Sequence, residues 1–176
     1  MTENKASILI VEDDANIRET LDTILQQNGY ATDTAENGRE AIRKSKSKFF
    51  NLALLDIKLP DMEGTKLLNS IHETQPKMMK IMVTGYPSVE NAVDALNYGA
   101  DAYVIKPFNP EKLLELIEKK LIEQSEAEEM TQEKITEWIK TRLRKTQETT
   151  RARHTGSSVR KQRKRKKTEP NLILYI

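Results

Sequence analysis

Reactive side chains follow directly after four short apolar segments of this chain. The residues in these positions are Glu12, Asp13, Asp14, Asp56, Thr84 and Lys106. Grouped carboxylates repel one another and shift toward their neutral forms unless a cation joins them. Carboxylate oxygens without His or Cys form the ligand set that suits Mg²⁺ best. The pattern therefore predicts a Mg²⁺ site wherever the fold brings these segments together.

The same residues have the chemistry for phosphoryl transfer. With Mg²⁺ held by Asp13 and Asp56, the Asp56 carboxylate can act as a nucleophile toward phosphorus. The metal and the Lys106 ammonium neutralise charge on the transferring group, and Thr84 can hydrogen-bond the product. Each residue alone has an ordinary explanation, because Asp often caps a turn after a strand and an isolated Lys is usually solvated. The combination favours phosphorylation of Asp56.

The segments that must position these residues alternate between two apolar patterns from Ser7 to about Ile122. Short β-branched runs alternate with longer stretches whose apolar residues recur at helical spacing. Strands are predicted at 8–11, 52–55, 81–83 and 102–105, with a weaker one at 30–33. The sequence therefore predicts an α/β fold, a doubly wound five-stranded parallel sheet whose strands end at one edge.

Composition divides the chain of 176 residues into three predicted parts. Residues 1–122 form the predicted domain, with 15 Lys and Arg against 19 Asp and Glu. Residues 123–150 lack Gly and Pro and predict a helical extension, continuous or broken. Residues 151–176 form a basic tail, and the stretch 151–167 has nine Lys and Arg and no acidic residue. Such a composition predicts disorder in the free chain.

Several classes of protein are disfavoured by composition. The absence of cysteine excludes disulfides, thiol nucleophiles and cysteine-ligated metals. The N-terminus lacks a secretion signal, and no apolar run approaches the roughly 18 residues of a membrane span. We therefore expect a cytoplasmic protein. His72 and His154 are isolated in the sequence, and neither is assigned a catalytic or metal role.

The segments ILIVEDD, LALLDIKLPDMEG, IMVTGY and YVIKPF together resemble the receiver domain of two-component response regulators. The resemblance covers about residues 6–122 and implies a flavodoxin-like fold. It implies that a sensor histidine kinase or phosphotransfer protein donates a phosphoryl group to Asp56. It also implies that the protein is not a turnover enzyme, apart from self-catalysed phosphoryl transfer and slow autodephosphorylation.

The resemblance assigns the metal ligands residue by residue. It makes Asp13 and Asp56 direct Mg²⁺ ligands and leaves Glu12 acting through water. It places a further ligand on the backbone carbonyl of Lys58.

The resemblance also assigns the residues that respond to phosphorylation. Thr84 and Tyr103 match the switch pair, in which the hydroxyl moves toward the phosphoryl group and the ring turns inward. Lys106 and Pro107 match a lysine followed by a cis peptide bond, which costs little only before proline. The output is expected on the face built from residues 87–122.

The 54 residues after residue 122 are too few for a usual winged-helix effector and contain few large apolar side chains. A basic run in the tail predicts polyanion binding without sequence reading. Its members are Arg160, Lys161, Arg163, Lys164, Arg165, Lys166 and Lys167. DNA, an acidic protein surface, a membrane surface and no specific partner all remain open. So do the role of the terminal LILYI and a phosphorylation-dependent homodimer through the Trp138 stripe.

Three other functions compete with a regulator that has a nucleic-acid output. The first is a single-domain phosphorelay or protein-interaction receiver without that output. The second is a pseudo-receiver, which the presence of Asp13, Asp56, Thr84 and Lys106 disfavours. The third is an enzyme on a similar sheet, such as a phosphatase or flavin protein, but the first strand has neither a D-x-D nucleophile pattern nor a Gly-rich phosphate loop after it.

Overall fold

Five short segments, four of them apolar and the fifth the more polar β2, form one parallel sheet, as the sequence pattern predicted. The strands are β1 (Ser7–Val11), β2 (Ala31–Ala35), β3 (Leu52–Leu55), β4 (Met79–Thr84) and β5 (Ala102–Ile105). Their order in the sheet is β2-β1-β3-β4-β5, and each neighbouring pair is parallel. The bounds of β3 and β5 agree with the prediction. By contrast, β1 begins one residue earlier than predicted, β2 runs from Ala31 to Ala35 rather than over 30–33, and β4 runs from Met79 to Thr84 rather than over 81–83.

The computed structural model describes the backbone of residues 6–159 and the side chains of residues 6–144. The helices are α1 (Ala15–Gln27), α2 (Gly38–Ser47), α3 (Gly64–Thr74), α4 (Val89–Asn97) and α5 (Pro110–Val159). Asp14, Asn37 and Ser88 begin α1, α2 and α4 by accepting hydrogen bonds from backbone amides of the first turn. Gly29 and Gly99 follow α1 and α4 in the left-handed conformation, with φ of 85° and 88°.

Helices cover both faces of the sheet, which is the doubly wound arrangement. On one face, Leu21 and Leu25 of α1 and Leu113 and Ile117 of α5 pack against alternate residues of the strands. On the other face, α2, α3 and α4 contribute a second apolar cluster that includes Ile71. The central strands are buried on both sides, which explains why they read as continuous apolar runs.

The strand register brings the reactive residues to one edge. Val11 is opposite Leu55, and the amide of Asp56 donates to the Val11 carbonyl oxygen at 3.0 Å. On the other side of the sheet centre, the Lys106 amide donates to the Thr84 carbonyl oxygen at 2.8 Å. The side chains that follow β1, β3, β4 and β5 therefore meet at the carboxyl ends of these strands.

The predicted domain boundaries at residues 122 and 150 remain predictions. The chain divides into two units, Met1–Glu128 and Glu129–Ile176, and α5 continues to Val159. Residues 151–159 are thus helical where disorder was expected. The stretch from residue 123 to residue 155 has neither Gly nor Pro, which favours helix propagation through most of this segment, and Gly156 lies only in the last turn of α5. The basic run from residue 160 onward and the terminal LILYI lie outside the described residues.

Gln124 explains why the first unit extends beyond residue 122. Its side chain is buried, and its amide donates to the backbone oxygens of Asn51 at 2.9 Å and Lys77 at 2.7 Å. Its carbonyl oxygen accepts from the Asn51 side chain at 3.3 Å. A polar residue in a charged stretch gives no sequence signal of such burial.

No helix within the described part of the chain combines the length and apolar character needed to cross a membrane.

Lys80 is an unusual member of the core, because it is 2% exposed on β4. Its ammonium donates to the backbone oxygen of Met78 at 2.5 Å, and the Lys80 amide donates to the Asp101 carboxylate at 2.7 Å. Burial lowers the pKa of Lys80, and the charge of Asp101 offsets only part of this effect. The cationic form of Lys80 therefore destabilises the folded chain.

We expect Lys80→Met to raise the free energy of unfolding by about 1–2 kcal/mol at pH 7, because it removes a buried charge. The unfolded chain binds the lysine proton more tightly, so wild-type stability should rise with pH up to the ordinary pKa of 10.5. The advantage of the Lys80→Met chain over wild type should shrink over the same range. Urea unfolding at several pH values measures both effects.

The exposed Lys66 on α3 provides the matched control. Lys66→Met should leave stability nearly unchanged at every pH. A Lys80→Met chain that is less stable than wild type at pH 7 would contradict the prediction.

Candidate functional site

Three carboxylates converge at the edge where β1 and β3 end. Oxygen atoms of Glu12, Asp13 and Asp56 all lie within 4.8 Å of one another. Glu12 and Asp56 are buried, whereas Asp13 is exposed. The cluster lines a pocket at the carboxyl edge of the sheet. The structure therefore brings together the acidic residues that the sequence placed at two separate strand ends.

Lys106 crosses from the end of β5 to these carboxylates. Its ammonium donates to Asp56 Oδ2 at 2.8 Å and to Glu12 Oε2 at 2.5 Å. The peptide bond between Lys106 and Pro107 is cis, which confirms the expectation drawn from the resemblance. Lys106 therefore bridges the two buried acids.

The electrostatics of the site follow from burial and ion pairing. Burial raises the pKa of Glu12, although the Lys106 ammonium acts in the opposite direction. Burial alone would lower the pKa of Lys106, but its hydrogen bonds and attraction to Asp56 and Glu12 raise it overall. Lys106 therefore remains cationic, and its one positive charge faces a cluster of three carboxyl groups. The remaining negative charge matches a divalent cation.

The donor chemistry also fits Mg²⁺, because all three side chains offer carboxylate oxygens. Arg18, which the sequence reading missed, stabilises the turn that carries two of them. Its guanidinium donates to the backbone oxygens of Glu12 at 2.7 Å and Asp13 at 3.1 Å. No local pattern in the sequence distinguishes Arg18 from an ordinary exposed residue of α1.

The loop between β3 and α3 forms another wall of the pocket. The Lys58 amide donates to Asp56 Oδ1 at 3.2 Å, and Lys58 lines the pocket. Gly64 closes the base of the loop by donating to the Ile57 backbone oxygen at 2.6 Å. A Cβ atom at Gly64 would lie 2.2 Å from the Asp56 backbone oxygen, so only glycine allows this approach.

Thr84 and Tyr103 face the same side of the sheet. Tyr103 is opposite Met82, which lies two residues before Thr84 on β4. Thr84 is fully buried, and its hydroxyl oxygen accepts from the Tyr86 amide at 3.0 Å. The structure thus places the predicted switch residues on neighbouring strands.

The Tyr103 hydroxyl stands apart among the described side chains, because it is buried without a hydrogen-bond partner. Burial raises the pKa of this phenol, and the backbone of Ser88 acts more weakly in the opposite direction. The buried position of the hydroxyl therefore leaves one polar atom without a hydrogen bond of normal geometry.

Tyr86 is a second residue that the sequence reading missed. Its exposed ring lines the pocket, and Lys58 Nζ lies 4.1 Å from the ring centre. This cation–π contact joins the β3–α3 loop to the segment after β4 across the pocket mouth. Its position after Thr84-Gly85 was the available signal, because residues after a strand end face the same edge.

Comparison with known families agrees with the fold. Residues 8–118 match the model of the response regulator receiver domain. The chain therefore belongs to the response regulator receiver domain family. Receiver domains are signalling modules of two-component systems and bind Mg²⁺ at an acidic pocket, and the cluster of Glu12, Asp13 and Asp56 lies where such a pocket is expected.

Curated relatives include the regulatory protein AtoC of Escherichia coli strain K12, 37% identical over 123 residues, which are 70% of this chain and 27% of AtoC. The transcriptional regulatory protein ResD of Bacillus subtilis strain 168 is 37% identical over 63% of this chain and 46% of its own length. The chain thus spans less than half the length of these relatives, and only their receiver portion is comparable.

Solved structures of isolated receivers match over nearly their whole length. A CheY-like receiver domain protein from Methanospirillum hungatei JF-1 is 52% identical, with a TM-score of 0.70, covering 70% of this chain and 99% of its own. The response regulator TrrA of Thermotoga maritima, solved in complex with Mg²⁺-BeF, is 37% identical, with a TM-score of 0.60. The match covers 65% of this chain and 98% of the TrrA chain.

The two neighbouring acids Asp13 and Asp14 should differ in their effect on Mg²⁺ affinity. Asp14 caps α1 by accepting from the amides of Asn16 at 2.9 Å and Ile17 at 3.0 Å, which Asn can also do. We expect Asp13→Asn to weaken Mg²⁺ binding at least about tenfold, since even outer-shell partners of metal ligands contribute that much. Asp14→Asn should weaken it less than about threefold, through lost charge alone. Calorimetric titration measures both, and equal losses would contradict the assignment.

Proposed function

We propose that this chain is a two-component response regulator whose receiver is phosphorylated on Asp56 by a histidine kinase or phosphotransfer protein. The observation that carries the proposal is the position of the Asp56 carboxylate. It lies at the end of β3, 2.8 Å from the Lys106 ammonium and within 4.8 Å of oxygens of Glu12 and Asp13. One nucleophilic carboxylate thus lies beside a fixed cation, the Lys106 ammonium, and beside oxygen ligands for a second cation, the metal ion.

The transfer from a phosphohistidine forms a bond between an Asp56 oxygen and phosphorus as the phosphorus–nitrogen bond breaks. Lys106 neutralises charge on the phosphoryl oxygens, and Glu12 holds the Lys106 ammonium in place through their 2.5 Å hydrogen bond. Mg²⁺, when bound by Asp13, Asp56 and the Lys58 carbonyl, supplies further neutralisation of these oxygens. Glu12 contributes to the metal through water.

The phosphorylated state would be read through Thr84 and Tyr103. A phosphoryl oxygen on Asp56 would offer the Thr84 hydroxyl a charged acceptor, whereas its present contact, the Tyr86 amide, is a donor. Movement of the Thr84 hydroxyl leaves space on the sheet face that Tyr103 shares. The adjacent helix α4 exposes Val89, Val93 and Leu96, with Val89 83% exposed, which supports an output surface within residues 87–122.

We expect wild-type protein incubated with acetyl phosphate and Mg²⁺ to gain one phosphoryl group in intact mass. Asp56→Ala should gain none, because the attacking oxygen is absent, and Lys106→Met should gain it far more slowly. Chelation of Mg²⁺ by EDTA should also abolish the gain.

The pocket-lining Asp14 supplies the matched control, because Asp14→Asn removes a neighbouring carboxylate but leaves the nucleophile in place. Phosphorylation of Asp56→Ala at the wild-type level would contradict the assignment of Asp56 as the phosphoryl acceptor. No gain by wild type from any donor would leave a receiver-shaped binding module.

The basic tail supports a further part of the proposal, which rests on sequence alone. The Lys and Arg residues between Arg160 and Lys167 would bind DNA or another polyanion through counterion release. The competing function is a single-domain phosphorelay or protein-interaction receiver with no nucleic-acid output. The absence of interleaved aromatic residues in this run favours binding without base reading.

DNA affinity should fall steeply with salt if the tail binds phosphates. Engagement of all seven basic residues predicts a slope of about −6 for log K against log salt. A chain ending at Val159 should lose this binding, and a tail with the same residues in shuffled order should retain it. Fluorescence anisotropy at several salt concentrations measures the slope. A salt-insensitive affinity, or one that the shortened chain retains, would contradict binding by the tail, and the absence of DNA binding would favour the receiver without nucleic-acid output.

The second unit supports a phosphorylation-dependent pairing of two copies. Its helix exposes a set of large apolar side chains, each 46–59% exposed: Met130, Ile135, Trp138, Ile139 and Leu143. The Arg142 guanidinium lies 4.6 Å from the Trp138 ring centre. Such a stripe suits a partner helix, although its spacing is not a strict heptad. Sedimentation of the acetyl phosphate samples reports whether the copies associate.

A further inference from the structure

The loop between β3 and α3, residues 57–63, is held at its base and at its tip. At the base, Gly64 donates to the Ile57 backbone oxygen, and Lys58 pairs with Glu63 in an antiparallel bridge. At the tip, Asp61 reaches across to helix α2, which is distant in sequence. Lys58 lies between these two attachments and lines the pocket beside Asp56.

The Asp61 carboxylate binds the first turn of α2 with both oxygens. Oδ1 accepts from the Gly38 amide at 2.8 Å, and Oδ2 accepts from the Arg39 amide at 2.9 Å. The next amide, that of Glu40, donates to the Asn37 side chain at 2.9 Å. Asp61 thus accepts from the two first-turn amides that Asn37 does not reach. Its negative charge also lies favourably at the positive end of the helix dipole.

The environment of Asp61 favours its ionised form. Burial would raise the pKa of this carboxyl, but the Gly38 and Arg39 amides lower it overall. The Arg39 side chain adds a weaker ion pair at 4.0 Å. Both hydrogen bonds are therefore charge-assisted and stronger than ordinary backbone contacts.

Met62 packs the same loop tip against the same helix turn. A Cβ atom at Gly38 would lie 2.4 Å from Met62 Sδ, so the loop and α2 approach too closely for any larger residue there. Polar and apolar contacts thus fasten the tip at one place. A loop held at both ends has few ways to move the backbone between them.

We propose that Asp61 is a positioning residue, which holds the β3–α3 loop against α2 so that the Lys58 backbone carbonyl is presented to Mg²⁺. The inference rests on the proposed function for the metal role of that carbonyl. The link to the site is short, because the Lys58 amide donates to Asp56 Oδ1 at 3.2 Å. Release of the tip would free the backbone of a metal-binding position without removing any ligand.

The test is calorimetric titration of the full chain with Mg²⁺ alone. Asp61→Ala should weaken Mg²⁺ binding about tenfold, the low end of the effect of outer-shell partners. Asp61→Asn should recover part of the loss, because its amide oxygen can accept from one of the two backbone amides while its NH₂ group cannot accept from the other. A purely structural role would leave the affinity of all three folded proteins equal.

Two further variants separate loop position from charge and from helix stability. Glu63→Gln removes a carboxylate from the same loop whose side chain makes no capping bond, and it should leave Mg²⁺ affinity within about twofold of wild type. Asn37→Ala removes the other cap of α2 and should lower the melting temperature but not the affinity. An Asn37→Ala chain that loses as much affinity as Asp61→Ala would overturn the proposal.

Phosphorylation of the same samples by acetyl phosphate keeps this inference distinct from the proposed function. Asp61→Ala should need about tenfold more Mg²⁺ for its half-maximal rate but approach the wild-type rate at saturation. A lower saturated rate with unchanged Mg²⁺ dependence would overturn the positioning role. A wild type that binds Mg²⁺ more tightly than Asp61→Ala but accepts no phosphoryl group would refute the phosphorylation proposal and leave the positioning role intact.

Discussion

The arrangement of the whole site depends on the concentration of negative charge at one edge of the sheet. Glu12 and Asp56 are buried close together, and burial of a charged group is costly unless an opposite charge pairs with it. Lys106 supplies one from the end of β5, on the far side of β4. The carboxylate oxygens that it leaves unpaired are the ligand type that suits a divalent metal. The strongest local interaction therefore joins elements that are far apart in the sequence.

Parallel pairing makes this convergence a property of the fold. Strands that run in the same direction end at the same edge, so residues just after β1, β3, β4 and β5 must be neighbours. The apolar cores on both faces fix the register, because a slip by one residue would turn every buried side chain to the opposite face. Burial of the strands thus determines which carboxylates meet. A polar residue reaches the site when it directly follows the last apolar residue of its strand.

The same logic explains which parts of the site the sequence could predict. Asp56, Asp13 and Lys106 follow apolar runs whose type and direction are readable, so their meeting was predictable from the order of the residues alone. Asp61 and Gln124 were not, because each acts on backbone groups of a distant segment. The Asp61 contact spans 23 residues and the Gln124 contact with Asn51 spans 73. Such contacts depend on where the backbone amides and carbonyls lie in space, which no local pattern of side chains encodes.

The β3–α3 side of the pocket is held more firmly than the β4–β5 side. This difference affects which side should rearrange when Asp56 gains a charge. On the β3–α3 side, both oxygens of Asp61 are paired with backbone amides of α2. On the β4–β5 side, the Tyr103 hydroxyl is buried without a partner among the described residues. An unsatisfied hydroxyl raises the energy of the present position of the ring and brings other positions within reach. A charge added at Asp56 would therefore change the packing of β4, β5 and α4 more readily than that of α2.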